Sequence, residues 1–354
     1  MARALRLAEA GLYTTQPNPR VGCVIAHGGE IVGAGFHARA GEPHAEVFAL
    51  REAGERARGA TAYVTLEPCA HFGRTPPCAD ALVAAGVARV IAACEDPNPK
   101  VAGGGFEKLR AAGIAVETGL MRQAARELNR GFISRLERGR PWVRVKLAMS
   151  LDGRTALANG QSQWITGEAA RADVQRWRAR SSAILTGTGT ARVDDPRLTV
   201  RLPDGEAFTP VLRVVPDARL DALPAQAHLL DGSVPTLVLH DESARPRDDR
   251  YRHAELVAIT TDAIGRIDLA ATLDLLAARG VNELQVEAGP TLCGALFQTG
   301  LVDEMLLYVS PILLGDTARP LLVLPALGEI AAGRRLRVVD ERRIGDDWRL
   351  LLRE

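Results

Sequence analysis

Four residues carry the densest chemistry in the chain: His44 and Glu46 in PHAEVFAL, Cys69 in TLEPCAH and Cys78 in RTPPCAD. One imidazole and two thiolates offer zinc three ligands of suitable softness. The fourth tetrahedral position stays open for water, as in catalytic rather than structural sites. Glu46 is then not a ligand. Its carboxylate can take a proton from the attacking water and deliver it to a departing amine, the shuttle that hydrolytic deamination needs. Two plainer readings stand beside this one. In the first, Cys69 and Cys78 are small core residues and His44 a surface histidine. In the second, the zinc is structural and His71 supplies a fourth ligand.

The elements around these residues must satisfy one constraint. Residues two apart do not share a helix face, so His44 and Glu46 can reach one point only if His44 stands at the helix entry. Pro43 suits such an entry, since proline is at home at helix starts and disfavours a helical residue before it. Cys78 follows Pro76 and Pro77 and opens its own helical run, where the positive helix end favours a thiolate.

Stepping outward, the pattern predicts a strand at 21–26, a helix from Ala45 to Arg58, a strand at 62–66, a helix at 78–86 and a strand at 88–96. This βαβα rhythm implies a mostly parallel sheet covered by helices, with ligands gathering at strand ends. A charged helix then closes in Gly139 and Pro141, which puts a domain boundary near 140. The rhythm resumes with a strand at WVRVKLAMS, a helix at 167–180, strands AILTG and VLRVV, a polar Pro-containing stretch at 241–250, a helix at 268–279 and the strand ELQVE. Strand-like LLYVSPILL and WRLLLRE near the end predict that the second sheet is mixed.

At 354 residues the chain exceeds the size at which one core usually keeps growing, so two domains are expected. Hydrophobic residues at 47% and charged residues at 25% exclude disordered and fibrous classes. A net charge of +1 gives no case for nucleic-acid binding, though it permits a local basic pocket for one phosphate. No run approaches the length of a membrane helix, and MARALRLAEAGLY lacks the continuous apolar core of a signal peptide. Five cysteines, at 23, 69, 78, 94 and 293, form no disulfide framework and point to a cytoplasmic, reducing setting.

HAE followed by PC and a second cysteine resembles the cytidine/deoxycytidylate deaminase superfamily. Eight residues separate the cysteines here, where that superfamily usually has two. The form EPCAHFGRTPPC, with QPNPRVGCV at 16–24 and the spacing of His37, Gly41 and His44, resembles the deaminase half of the bifunctional deaminase/reductase of riboflavin biosynthesis. The runs KLAMSLDGRTA, SQWITG, GTGTARVDDPRLTVR and VEAGPTLCGAL extend the resemblance through the reductase half.

The resemblance implies an α/β protein: a cytidine-deaminase-like three-layer domain over 1–140, then a dihydrofolate-reductase-like α/β domain over 141–354. It implies zinc-assisted deamination of 2,5-diamino-6-(5-phosphoribosylamino)pyrimidin-4-one, then NADPH-dependent reduction of the ribosyl group to ribityl. The partner is a small phosphorylated pyrimidine, with neither nucleic acid nor membrane, and the expected assembly is a homo-oligomer, dimer or tetramer. In the deaminase half Asn18 would bond the ring, His71 and Arg74 would line the base or phosphate end, and His37 would form the pocket wall.

In the reductase half the matching runs assign cofactor contacts to Ala148, Trp164, Thr190 and Asp194. They assign the same role to the turn Gly289, Pro290, Thr291, Leu292, Cys293, Gly294 and Ala295, whose backbone N–H groups and helix start suit phosphate. Ser162, Arg178, Leu198, Arg201 and Glu287 are the implied substrate contacts, the two arginines offering planar forks to a sugar phosphate. Lys146 and Asp152, beside the SLDG turn, are candidates for polarising the sugar or relaying a proton, with a core-edge salt bridge as the alternative. Asp217-Ala218 departs from the family pattern, which carries a hydroxyl near the cofactor.

Two rivals remain at this level. One is a deaminase of free nucleotides or RNA bases with an accessory second domain, and the other is a zinc-stabilised binding module without catalysis.

Overall fold

The structure, a computed structural model, describes residues 1–72, 76–99 and 101–354. It divides into two compact units, Met1–Gly139 with Ala207–Thr209, and Arg140–Glu206 with Pro210–Glu354.

The first unit is built on a five-stranded sheet of β1 (Gly22–His27), β2 (Glu30–Phe36), β3 (Thr61–Val64), β4 (Arg89–Ala92) and β5 (Ala115–Thr118), in the order β2-β1-β3-β4-β5. β1 runs antiparallel to both of its neighbours, and β3, β4 and β5 are parallel. The helices are α1 (Ala2–Glu9), α2 (Ala45–Ala53), α3 (Cys78–Ala85), α4 (Gly104–Ala111), α5 (Arg122–Leu128) and α6 (Arg130–Arg138). Small residues let α2 lie close on the sheet. A Cβ at Gly33 would sit 2.1 Å from the Ala49 carbonyl oxygen, and one at Gly35 would sit 2.6 Å from that of Ala45. Substitution there would push away the helix that carries Glu46. The helix expected to reach Arg58 ends at Ala53, because Gly54 takes a positive φ of 54° and a 3-10 turn follows. Sequence reading did not single out β2, whose polar start and two glycines hide its alternation.

The second unit holds β6 (Trp142–Ser150), β7 (Arg154–Ala156), α7 (Glu168–Arg180), β8 (Ala183–Leu185), α8 (Thr188–Asp194), β9 (Leu212–Pro216), β10 (Thr236–His240), β11 (Glu255–Ala258), α9 (Leu269–Ala278), β12 (Glu283–Val286), α10 (Pro290–Gln298), β13 (Glu304–Ser310), β14 (Arg319–Pro320), β15 (Arg337–Ile344) and β16 (Asp347–Arg353). Nine strands form one sheet in the order β11-β10-β9-β8-β12-β6-β13-β16-β15, parallel from β11 to β13 and antiparallel from β13 to β15. The sheet is therefore mixed, as the terminal strand patterns predicted.

One face of the sheet packs a core that includes Val143, Val145, Leu185, Leu237, Leu284 and Leu307, and the alternate residues Ile184, Val215 and Val238 belong to a second core on the other face. Asp268 caps α9 by accepting the Ala271 N–H at 3.0 Å. An ionic group is also buried here. Arg144, with no exposure, donates to Glu283 at 2.8 Å and Glu304 at 2.7 Å and stacks 4.5 Å above the Trp177 ring. Arg180 and Arg353 complete the two carboxylates.

Candidate active sites

The first site lies where the starts of two helices meet. His44 is the N-cap of α2, with extended backbone (φ −76°, ψ 166°), and Glu46 lies in the first turn. This solves the spacing problem: the non-helical entry residue and a residue of the first turn converge where two helical positions would diverge. Cys78 is the first residue of α3 after Pro77. The His44 Nδ1 atom lies 3.2 Å from Cys78 Sγ and 3.6 Å from Cys69 Sγ, and all three ligand atoms fall within 4.8 Å of one another. The Cys78 backbone N–H donates to Cys69 Sγ at 3.3 Å, so the positive start of α3 serves the thiolate of Cys69 as well. Cys69 is drawn down to about 4, first by its hydrogen bond with Cys78, and Cys78 is raised by the same bond and by burial.

Two sulfurs and one imidazole nitrogen at these separations fit zinc. Glu46 adds a second sign. It is 3% exposed, its Oε2 is buried without a hydrogen-bond partner, and burial raises its carboxyl. A lone carboxylate oxygen at such a place is costly unless a ligand or water completes it. His71 is exposed and outside the cluster, so among the described residues no fourth protein ligand closes the site.

Asn18 and His37 are brought to the same place. Asn18 Nδ2 lies 3.1 Å from His37 Nε2, and the His37 ring meets His44 edge-on, with centroids 5.3 Å apart. Arg74 lies outside the described residues.

Two residues that sequence reading passed over support the site. Glu67, 4% exposed, accepts the backbone N–H groups of Gly105 at 3.0 Å, Gly103 at 3.1 Å, and Asp96 and Phe106 at 3.3 Å, tying the segment before Cys69 to the start of α4. Asp96, pushed up to about 6 mainly by burial, accepts the Asn98 N–H at 2.8 Å and lies close enough to sense Cys69 and His71. An acidic residue just past a strand end, in CEDPNPK, was the available signal.

The second site is a cleft of about 2340 Å³ within the second unit. It follows the carboxyl ends of β8, β9, β10 and β12, where open α/β sheets take ligands. Lys146, Ala148, Ser162, Trp164 and Arg178 line it, as do Thr190, Asp194, Leu198, Arg201 and Glu287. From the glycine turn, Gly289, Pro290, Thr291, Leu292 and Ala295 line it too. Gly289 is the N-cap of α10, so the helix start opens on the cleft and suits a dinucleotide phosphate. Leu198 holds a left-handed φ of 47°, the kind of strain that gathers at ligand sites.

Three expected residues stand apart from the lining. Cys293 has no exposure and turns its Sγ to the Ala288 carbonyl at 3.3 Å. Gly294 faces a neighbouring segment, since a Cβ there would lie 2.1 Å from the Val323 carbonyl oxygen. Asp152 accepts from Ser150 Oγ and from the Leu314 and Gly315 N–H groups, which hold it down to about 2 and fasten a turn. Lys146 is different. Burial lowers its ammonium against the pull of Glu287. Ala218 lines the cleft where the family pattern carries a hydroxyl, and the adjacent Asp217 is spent on Tyr251, at 2.6 Å, and on the backbone of 221–223.

Against known proteins, residues 141–350 match the RibD C-terminal domain and residues 1–94 the cytidine and deoxycytidylate deaminase zinc-binding region. The chain is 49% identical to the riboflavin biosynthesis protein RibD of Escherichia coli K12 over 357 residues, covering 98% of this chain and 96% of that one. It is 47% identical to RibD of Haemophilus influenzae, covering 99% and 95%. Among solved structures it is similar to Acinetobacter baumannii RibD, with a TM-score of 0.92 at 46% identity over 99% of this chain and 97% of that one. A deaminase/reductase from Thermotoga maritima gives a TM-score of 0.87 at 30% identity over 100% and 97%. No helix among the described residues is long and apolar enough to cross a membrane. With both half-sites built and both halves matched, the chain belongs to the RibD family of riboflavin-biosynthesis proteins, bifunctional enzymes that join a zinc-binding deaminase domain to an NADPH-dependent reductase domain.

Proposed function

We propose that residues 1–140 deaminate 2,5-diamino-6-(5-phosphoribosylamino)pyrimidin-4-one and that residues 141–354 then reduce its ribosyl group to ribityl. The observation that carries the first step is the buried, unpartnered Oε2 of Glu46 beside the His44, Cys69 and Cys78 cluster. Those three residues would hold zinc, which when bound supplies Lewis-acid activation of water. Glu46 takes a proton from the attacking water and returns it to the amine nitrogen, so that the ring carbon gains oxygen and ammonia leaves. Its raised carboxyl suits a group that must both accept and give that proton.

In the second unit the start of α10 and Thr190 would hold the dinucleotide, which supplies hydride to the sugar. Lys146 is the better candidate for the accompanying proton, because it lines the cleft while Asp152 is held ionised in a turn. Arg201 is the freer phosphate ligand: among the described residues its side chain reaches only Thr199 Oγ1, at 3.1 Å, whereas Arg178 is forked onto Glu287. The free, mostly buried cysteines support a cytoplasmic setting. The sheet edge at β15, where Val338 is exposed, supports a homo-oligomer.

The test is incubation of the zinc-loaded protein with the diaminopyrimidinone phosphate and NADPH, following ammonia and NADPH together. Ammonia release preceding NADPH oxidation is expected. Turnover of cytidine in its place, with no turnover of the diaminopyrimidinone, would refute the assignment.

A further inference from the structure

The His37 ring is 2% exposed, and both its nitrogens are committed. Nδ1 lies 3.2 Å from the Pro43 carbonyl oxygen, which can only accept, so Nδ1 carries the proton. In a neutral imidazole Nε2 is then a lone pair. The group facing it at 3.1 Å, the Asn18 amide, must therefore present its N–H, and this settles which branch of that amide is oxygen. Asn18 Oδ1 is left without a protein donor among the described residues and is not sealed from solvent. Pro43 is the residue before His44, so one short chain of contacts runs from the residue preceding the metal ligand through His37 to Asn18.

We infer that His37 is a positioning residue, which turns the Asn18 carbonyl oxygen toward the bound heterocycle and so selects a ring that offers an N–H beside the carbon losing its amine. This deepens the deaminase reading above and rests on Asn18 meeting the ring. The diaminopyrimidinone has that N–H, in its lactam, next to the amine-bearing carbon. Cytosine has a bare nitrogen lone pair at the equivalent place, which would face the Asn18 oxygen and be repelled. Rejection by an unmatched polar group is the strong form of discrimination. It explains in this chain's own residues why a zinc deaminase site would refuse the commoner base.

The test compares ammonia release by zinc-loaded full-length variants on the diaminopyrimidinone phosphate and on cytidine. In His37→Asn the amide reaches only the place of Nδ1, keeping the Pro43 contact and freeing Asn18. In His37→Gln the longer side chain carries an acceptor to the place of Nε2. A rise in KM of roughly tenfold, the scale of one neutral hydrogen bond, is expected for H37N with kcat little changed, and substantial recovery in H37Q. H37N should also narrow the preference for the lactam ring over cytosine. Asn18→Ala should lose a similar factor, and the double variant H37N/N18A should be no worse than the poorer single one. Zinc content and NADPH oxidation on deaminated substrate report folding of the same chains. Losses that multiply in the double variant, or H37Q as poor as H37N, would overturn the role of His37 while leaving the Asn18 contact standing. N18A at full rate would instead refute the ring contact itself.

Discussion

Arg178 and Glu287 meet as a bidentate pair at the floor of the reductase cleft, Nε to Oε1 at 2.7 Å and Nη2 to Oε2 at 2.8 Å. Both side chains are about nine-tenths buried, with 12% and 11% exposure. Burial alone would raise the Glu287 carboxyl, but Arg178 outweighs it and holds the group down to about 2, against an ordinary 4.5. A depressed carboxyl stabilises the fold above its unfolded pKa, and that stability is lost as pH falls through the folded one. The window therefore runs downward from about pH 4.5 toward pH 2, with a total on the order of 3 kcal/mol. Urea unfolding of the reductase unit should show wild type losing stability relative to Glu287→Gln across that window. Parallel curves would exclude the pair as the cause. At neutral pH the Gln variant should be less stable by about 3 kcal/mol, since it strands a buried guanidinium.

Glu46→Gln keeps the shape of the first site and removes its proton carrier. Ammonia release should fall by at least about 100-fold, the usual loss with a general acid/base. Zinc, measured by metal analysis, should stay bound. NADPH oxidation supplied with deaminated substrate should continue. A zinc-stabilised binding module predicts no loss of function at all.

Gly105 tests whether α4 sets the position of Cys69. A Cβ there would stand 1.9 Å from the Pro68 carbonyl oxygen, so Gly105→Ala must move either the helix or the segment that leads into Cys69. Weaker zinc retention against a competing chelator is expected, together with destabilisation of about 1–3 kcal/mol from overpacking. Undiminished zinc affinity in a folded variant would show that the ligand segment is held elsewhere.

Lys146 and Asp152 separate cleanly by mutation. Lys146→Met should cut NADPH oxidation by about 100-fold or more if the ammonium delivers the proton. Asp152→Asn weakens the turn to Leu314 and Gly315 but should leave reduction within about tenfold of wild type. Single-turnover reduction rates decide between them, and the reverse ranking would exchange the two roles.

Removing the metal should divide the two activities. Chelation should abolish ammonia release and lower the melting temperature of the first unit, since ligands that hold zinc stabilise the folded state. Reduction of deaminated substrate should persist, because the cleft lies wholly within the second unit. Loss of both activities together would show that reduction also depends on the metal.

By itself the sequence determined the ligand types and the entry geometry. Pro43 before His44 and Pro77 before Cys78 encode two helix starts locally, and a local signal is legible without a fold. The parallel rhythm was legible for the same reason in the second unit and from β3 to β5 in the first, but the mostly parallel sheet expected for the first unit is half antiparallel: the unread β2 reverses the chain, so β1 runs antiparallel to β3. The family motifs pointed to residues that line the cleft. Only tertiary structure decided which side chains are already spent. Arg178 is occupied by Glu287, 109 residues away, and Asp152 by a turn 162 residues on. Cys293 points into the core while its neighbours Leu292 and Ala295 face the cleft, because a helix start exposes only one side. The free oxygen of Asn18 likewise depends on a histidine 19 residues distant. Partnership between residues far apart in the chain is fixed by packing, and no single-segment pattern records it.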